Sequence, residues 1–414
     1  MTGPAPGHRL GALPAGLGAV LTGMALMAFP VLSGGLLPAN ATVAVTAADV
    51  GGCAPAAKGL ITGVPWAQQS LAPQRAWNLT RGGGVVVGVV DTGVSAASPA
   101  LSDAVLPGRD LLKGGGRADD DCSGHGTFVA GLLAARPTAG SAFAGIAPGV
   151  QVLPVRVTTD ASNVDAGVLA AGIRAAVDGG AQVVAVALGA TDCPPALRGA
   201  VAYAVNHNVL VVASTEGANL SSGGPVYPAA LPGVLAVASF GPDGKATDVS
   251  GTAARPTLAA PGANLVSIAP HGGGNVIASG SGVSVAFVAG AAALVRDYRP
   301  GLTATQLLHR LETTADHPSD RLPDRSLGYG IVDPVAAVVT MLPEESGEKA
   351  PPRAAVRPIH LVPPPSADER PVRTALAASA AVAVGAALGG LTIALIRRGR
   401  RRGWRPGGSD ETVA

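Results

Sequence analysis

The chain has 414 residues, 48% of them hydrophobic but only 3% aromatic and 14% charged, with 58 glycines. That is enough for one large α/β domain with extensions. A formal net charge of +2 supplies no electrostatic footprint for a nucleic-acid partner, and no histidine, cysteine or carboxylate cluster has metal-ligand spacing, so neither a metal nor another cofactor is expected.

At the N-terminus, His8 and Arg9 precede an apolar stretch from Leu10 to Leu37, and Ala39-Asn40-Ala41 supplies a small-x-small cleavage pattern. Residues 1–41 therefore read as a secretory signal peptide, with an uncleaved anchor as the alternative. Residues 42–80 form an extension ahead of a main domain spanning 81–342. That domain opens with Val85-Val86-Val87-Gly88-Val89-Val90, a continuous apolar strand running into Asp91. A carboxylate at the C-terminal edge of such a strand lies where open α/β sheets place their ligands. About thirty residues on comes Asp121-Cys122-Ser123-Gly124-His125-Gly126-Thr127-Phe128-Val129-Ala130-Gly131. The apolar run from Val129 to Ala135 predicts a buried helix, with glycine letting its first turn approach other backbone closely.

An aspartate after a buried strand, then His-Gly-Thr opening a helix, resembles the subtilisin superfamily of serine proteases, and the two residues come in that family's chain order. The resemblance implies that Asp91 orients the imidazole and that His125 is the general base. Three cysteines, Cys53, Cys122 and Cys193, suggest one disulfide and a leftover thiol in an exported chain. A Cys53–Cys122 pair would staple the extension across the rim of the active site; the sequence leaves the two other pairings open. From Cys53 onward the chain resembles the mycosins, membrane-anchored subtilisin-like proteases of actinobacterial type VII secretion systems. Those proteins share the signal peptide, a cysteine in the extension, an Asp-Cys-x-Gly-His-Gly-Thr motif, a Pro-rich linker and a C-terminal anchor. In that family the extension wraps the catalytic domain. Its second disulfide would use Cys193, for which no later cysteine exists here.

Further along, the pattern predicts a strand at Gln151–Val157, a helix at Ala166–Asp178 and a strand at Val183–Gly189. The last is similar to the family's strand ending in Ser-Leu-Gly, with Ala187 replacing the serine. The resemblance implies that the following loop lines the substrate groove and that Gly189 lets peptide pass close to backbone. A helix at Pro195–Asn206 and a strand at Val209–Ala213 complete an alternation that argues for a parallel, doubly wound sheet flanked by helices. After that last strand the family reads Ala-Ala-Gly-Asn, whose asparagine donates to the oxyanion. Aligned without a gap, Gly217 falls on that position, and Asn219 serves only if two residues are inserted. Tyr227-Pro228-Ala229-Ala230, the strand Val234–Phe240 and Ala259-Ala260-Pro261-Gly262-Ala263 resemble family scaffold.

The family's nucleophile motif, Gly-Thr-Ser before a helix ending Val-Ala-Gly, aligns here with Gly280-Ser281-Gly282 ahead of Val288-Ala289-Gly290. Gly282 then occupies the nucleophile position. Ser284 serves instead if the helix shifts by two residues, and Ser281 if the turn shifts by one. A helix pair follows, Phe287–Asp297 and Thr303–Thr313, the second opening on a capped start at Thr303. His309 and His317 read as surface residues.

Residues 343–373 are rich in proline and charge, an extended linker. Thr374 to Ile396 is 23 residues without a charge, spanning ~35 Å at the helical rise, enough for a bilayer core. Arg397, Arg398, Arg400, Arg401, Arg402 and Arg405 follow, and by the positive-inside rule the tail 397–414 stays in the cytoplasm. Gly385 and Gly389 make a weak small-xxx-small pair. A single-pass cell-membrane protein with its large domain outside is expected.

Because Gly282 and Gly217 depart together, the favoured expectation is a mycosin-like pseudoprotease acting as a scaffold at the type VII secretion membrane complex. The alternatives are an active endopeptidase cutting a secreted protein with Ser284 or Ser281, and a module that binds an extended peptide without catalysis.

Overall fold

The computed structural model describes residues 53–101, 103–112, 115–162, 164–215, 224–247, 255–317, 321–345 and 370–403. The expected signal peptide, Gly217, Asn219, most of the linker and the end of the tail lie outside the described residues.

Seven strands form one sheet in the order β2-β3-β1-β4-β5-β6-β7, every neighbouring pair parallel. They are β1 (Val86–Asp91), β2 (Arg109–Asp110), β3 (Gln151–Arg156), β4 (Val183–Val186), β5 (Leu210–Ser214), β6 (Val234–Phe240) and β7 (Leu258–Pro261). β-Branched residues buried on both faces suit a parallel sheet covered on each side. The short α1 (Trp66–Leu71) precedes the sheet. Helix α2 (His125–Ala134) follows β1 and β2, whereas α3 (Ala166–Asp178) and α4 (Pro195–Asn206) bridge β3, β4 and β5. A hairpin of β8 (Leu265–Ile268) and β9 (Asn275–Ala278) then leads into α5 (Ser281–Tyr298), α6 (Ala304–Thr313) and α7 (Pro334–Val339). Helices α2 and α5 share one core with Val87, Val89, Val183 and Val212, while α3 and α4 share the other with Val90, Val184 and Val186.

Chain connections leave β1 toward one end of the sheet and β4 toward the other. Their adjacent C-terminal ends form the topological switch point, where crevices open in such sheets. Asp91 ends one of these strands, and Ala187 follows the other.

Two elements differ from the sequence-based reading. Helix α5 starts at Ser281, six residues before Phe287. Its small first turn is drawn into the helix by packing, and Val285, Ala286, Phe287 and Val288 are all buried. Strand β4 stops at Val186 because the chain leaves the sheet and Ala190 exchanges both backbone hydrogen bonds with Tyr227, at 2.8 and 2.9 Å.

The extension is woven into the domain. Ala54 N–H donates to the Cys122 carbonyl (2.7 Å), and Gly274 and Asn275 donate to Ala57 and Gly59. At the other end, the fully buried Arg310 meets Glu345 through Nε and Nη2 and donates to the Ala337 and Thr340 carbonyls. This ion pair draws residues through Glu345 into the fold, three beyond the boundary expected at 342.

As a separate unit, α8 (Arg370–Arg401) contains a 28-residue candidate span, Thr374–Arg401, whose apolar 18-residue window has mean hydropathy 2.0. By length and composition it can cross a membrane. It is helical through Arg397–Arg401 as well, since arginine is a good helix former.

Candidate active site

Asp91, wholly buried, receives the His125 imidazole: Nδ1–H lies 2.8 Å from Oδ1 and 3.0 Å from Oδ2. The Thr92 N–H donates to the same carboxylate at 2.7 Å. Bonding through Nδ1 leaves Nε2 as the basic nitrogen of the neutral ring, aimed away from Asp91. The histidine sits on the first residue of α2, whose Gly124 cap has φ +84°. Gly126 permits this approach: a Cβ there would lie 2.0 Å from the Gly93 carbonyl oxygen and 3.1 Å from Asp91 Cβ.

A second buried carboxylate holds the turn. Asp121 accepts from Thr92 Oγ1 (2.9 Å), Gly124 N–H (2.9 Å), Thr127 N–H (2.9 Å) and Thr127 Oγ1 (2.7 Å). Burial pushes its carboxyl above the ordinary 3.8, hydrogen bonds from Thr127 and Gly124 oppose the shift, and the Asp91 charge adds to it. For His125, burial disfavours the cation, but the charge and hydrogen bond of Asp91, helped by the Asp121 charge, outweigh it and hold the imidazole above 6.5. The ring is still a quarter exposed. Arg156 at the end of β3 ties down the neighbouring loop, donating to Thr92 O (2.8 Å), Asp110 (2.6 Å) and Asp120 (2.6 Å).

Cys53 and Cys122 are disulfide-bonded, three residues from His125, and Cys193 carries a free, half-buried thiol.

The position facing Nε2 belongs to Gly282 in the first turn of α5. A Cβ on Gly282 would stand 3.7 Å from His125 Nε2 and 2.4 Å from the Ala187 carbonyl oxygen. A hydroxyl on that carbon would be within reach of the imidazole, but residue 282 has none. Ser284 is not brought to His125. Two residues along a helix is a turn of about 200°, and its fully buried Oγ donates to the Pro261 carbonyl at 2.9 Å. Ser281 is the first residue of α5, and its side chain lies outside the described residues. Gly189 sits half-buried between β4 and Ala190.

Sequence reasoning missed Asp121, Thr92 and Arg156 as residues that hold the site. Asp121 was visible as the acid opening the histidine motif; Arg156 had no signal beyond a charge ending an apolar strand.

A parallel sheet whose switch point holds an Asp–His pair against the first turn of a buried helix is a subtilase arrangement. The chain belongs to that class, the Subtilase family model matching residues 82–330. Within the family it is similar to the mycosins. It is 31% identical to Mycosin-1 of Mycolicibacterium smegmatis over 389 residues, covering 81% of this chain and 85% of that protein. The crystal structure of MycP1 from Mycobacterium smegmatis superposes with a TM-score of 0.62 at 30% identity, over 74% of this chain and 93% of that one. A chain of the intact ESX-5 inner membrane complex gives the same TM-score at 28% identity, over 83% and 94%.

Proposed function

We propose that this chain is a membrane-anchored mycosin homologue serving a type VII secretion complex as a structural component and not as a protease. One observation carries the reading: the place opposite His125 Nε2 is held by Gly282, a residue without a hydroxyl. In subtilisin, loss of the serine costs roughly 2 × 10⁶ in kcat. A base with no nucleophile to activate therefore leaves no useful peptidase.

The partner comes from the likeness to a chain of an ESX-5 inner membrane complex. The apolar stretch Thr374–Ile396, with the arginines that follow it, supports an anchor whose basic end stays inside and whose domain faces out. The intact Asp91–His125 pair is the observation favouring a second reading, an active endopeptidase using Ser281.

The two readings separate in cells lacking the gene. Under the scaffold reading, secretion through the complex stops on deletion and returns fully with either the wild-type chain or His125→Ala. If His125→Ala reaches the membrane at wild-type level but does not restore secretion, the scaffold reading is wrong.

A further inference from the structure

Resting on the scaffold reading, we infer that the nucleophile position is closed as well as disarmed, and that Gly282 is a packing requirement which a serine cannot meet.

The contact is between backbones. A Cβ on Gly282 would sit 2.4 Å from the Ala187 carbonyl oxygen, far inside van der Waals distance. Relief needs movement of the strand end or of the helix end, and both are pinned. On the helix side, Gly280 N–H donates to Gly262 O (2.8 Å), Asn264 N–H to Ser279 Oγ (2.8 Å), and Ser284 to Pro261 O (2.9 Å). From Val285 to Val295 that helix is buried. On the strand side, β4 is paired with β1 and β5, and just beyond it Ala190 is locked to Tyr227 by two hydrogen bonds. Overpacking between pinned walls destabilises. The Ala187 carbonyl thus fills the volume that a nucleophile's Cβ would need.

The sign of one substitution isolates this effect. Gly282 lies in the first turn of α5, and replacing a helical glycine with alanine ordinarily stabilises. Closure reverses that expectation.

The experiment uses the full chain in detergent micelles, with Gly282→Ala, Gly282→Ser, Gly282→Ser/His125→Ala, and Gly301→Ala as a control where a Cβ meets nothing within 4 Å. Thermal unfolding and labelling by a fluorophosphonate probe are read on each. Closure predicts that Gly282→Ala and Gly282→Ser both melt several degrees lower and that neither labels at residue 282, while Gly301→Ala is unchanged. Failure of both Gly282 variants to fold, with Gly301→Ala folded, is the same result in stronger form. Closure is overturned if Gly282→Ala melts at or above the wild type, or if Gly282→Ser labels in a His125-dependent way. Labelling of the wild-type chain instead sinks the scaffold reading and leaves closure to the Gly282→Ala melting point.

Discussion

Asp121 offers the sharpest test of what holds the Asp91–His125 pair in place. Its two oxygens each accept one backbone N–H and one threonine hydroxyl, at 2.7–2.9 Å. In Asp121→Asn one oxygen becomes an amide that cannot accept. Whichever way the amide turns, it faces either Gly124 N–H or Thr127 N–H and orphans that donor, whereas the hydroxyl beside it can rotate to accept instead. One buried, unsatisfied N–H costs about 1–3 kcal/mol. Either orphan lies in the first turn of α2 or its cap, so the lesion falls where His125 is held. Urea unfolding followed by circular dichroism should give a lower midpoint at unchanged slope, equivalent to about 1–3 kcal/mol. By NMR, the His125 pKa should fall, because the Asp121 charge is one of the causes that raise it. An unchanged midpoint together with an unchanged His125 titration would show that the turn is held by something other than Asp121.

Four further outcomes are expected. Asp91→Asn removes the charge that lifts His125 and leaves a neutral acceptor in its place while burial is unchanged, so the imidazole pKa should fall from its wild-type value in an NMR titration. In the wild type the raised pKa contributes stability below pH 6.5 that is lost as pH rises through the folded-state value; relative to His125→Ala, melting temperature should decline across that window. The Cys53–Cys122 disulfide spans 69 residues. Loop closure assigns it about 4 kcal/mol, and Cys53→Ser/Cys122→Ser should lose much of that in chemical denaturation. Ending the chain at Leu342 removes Glu345 and strands the buried Arg310. That should cost about 3–5 kcal/mol relative to a chain ending at Glu345, measured by comparing their unfolding midpoints.

Much of the fold was legible because its signals are local. The apolar runs at Val86–Val90 and Val183–Val186 are long enough to name as buried strands, and helices α3 and α4 fall where the sequence placed them between successive strands. The aspartate and histidine were legible because each stands beside such a signal. Two things were not. The six extra residues at the start of α5 are small and glycine-bearing, and only burial against the sheet makes them helical. The contact between Gly282 and the Ala187 carbonyl joins backbones nearly a hundred residues apart. A replacement of serine by alanine at 187 says nothing about where that residue's carbonyl points. The cysteines lie between these cases: composition suggested one bond, and only the fold showed which pair is close enough to form it.

Whether any working nucleophile faces His125 can be read by treating the wild-type full chain with a fluorophosphonate probe and mapping adducts by mass spectrometry, beside His125→Ala and an active subtilase as positive control. No adduct on any serine is expected under conditions that label the control to completion. A stoichiometric adduct on Ser281 or Ser284 that disappears in His125→Ala would contradict this and identify the chain as an active protease.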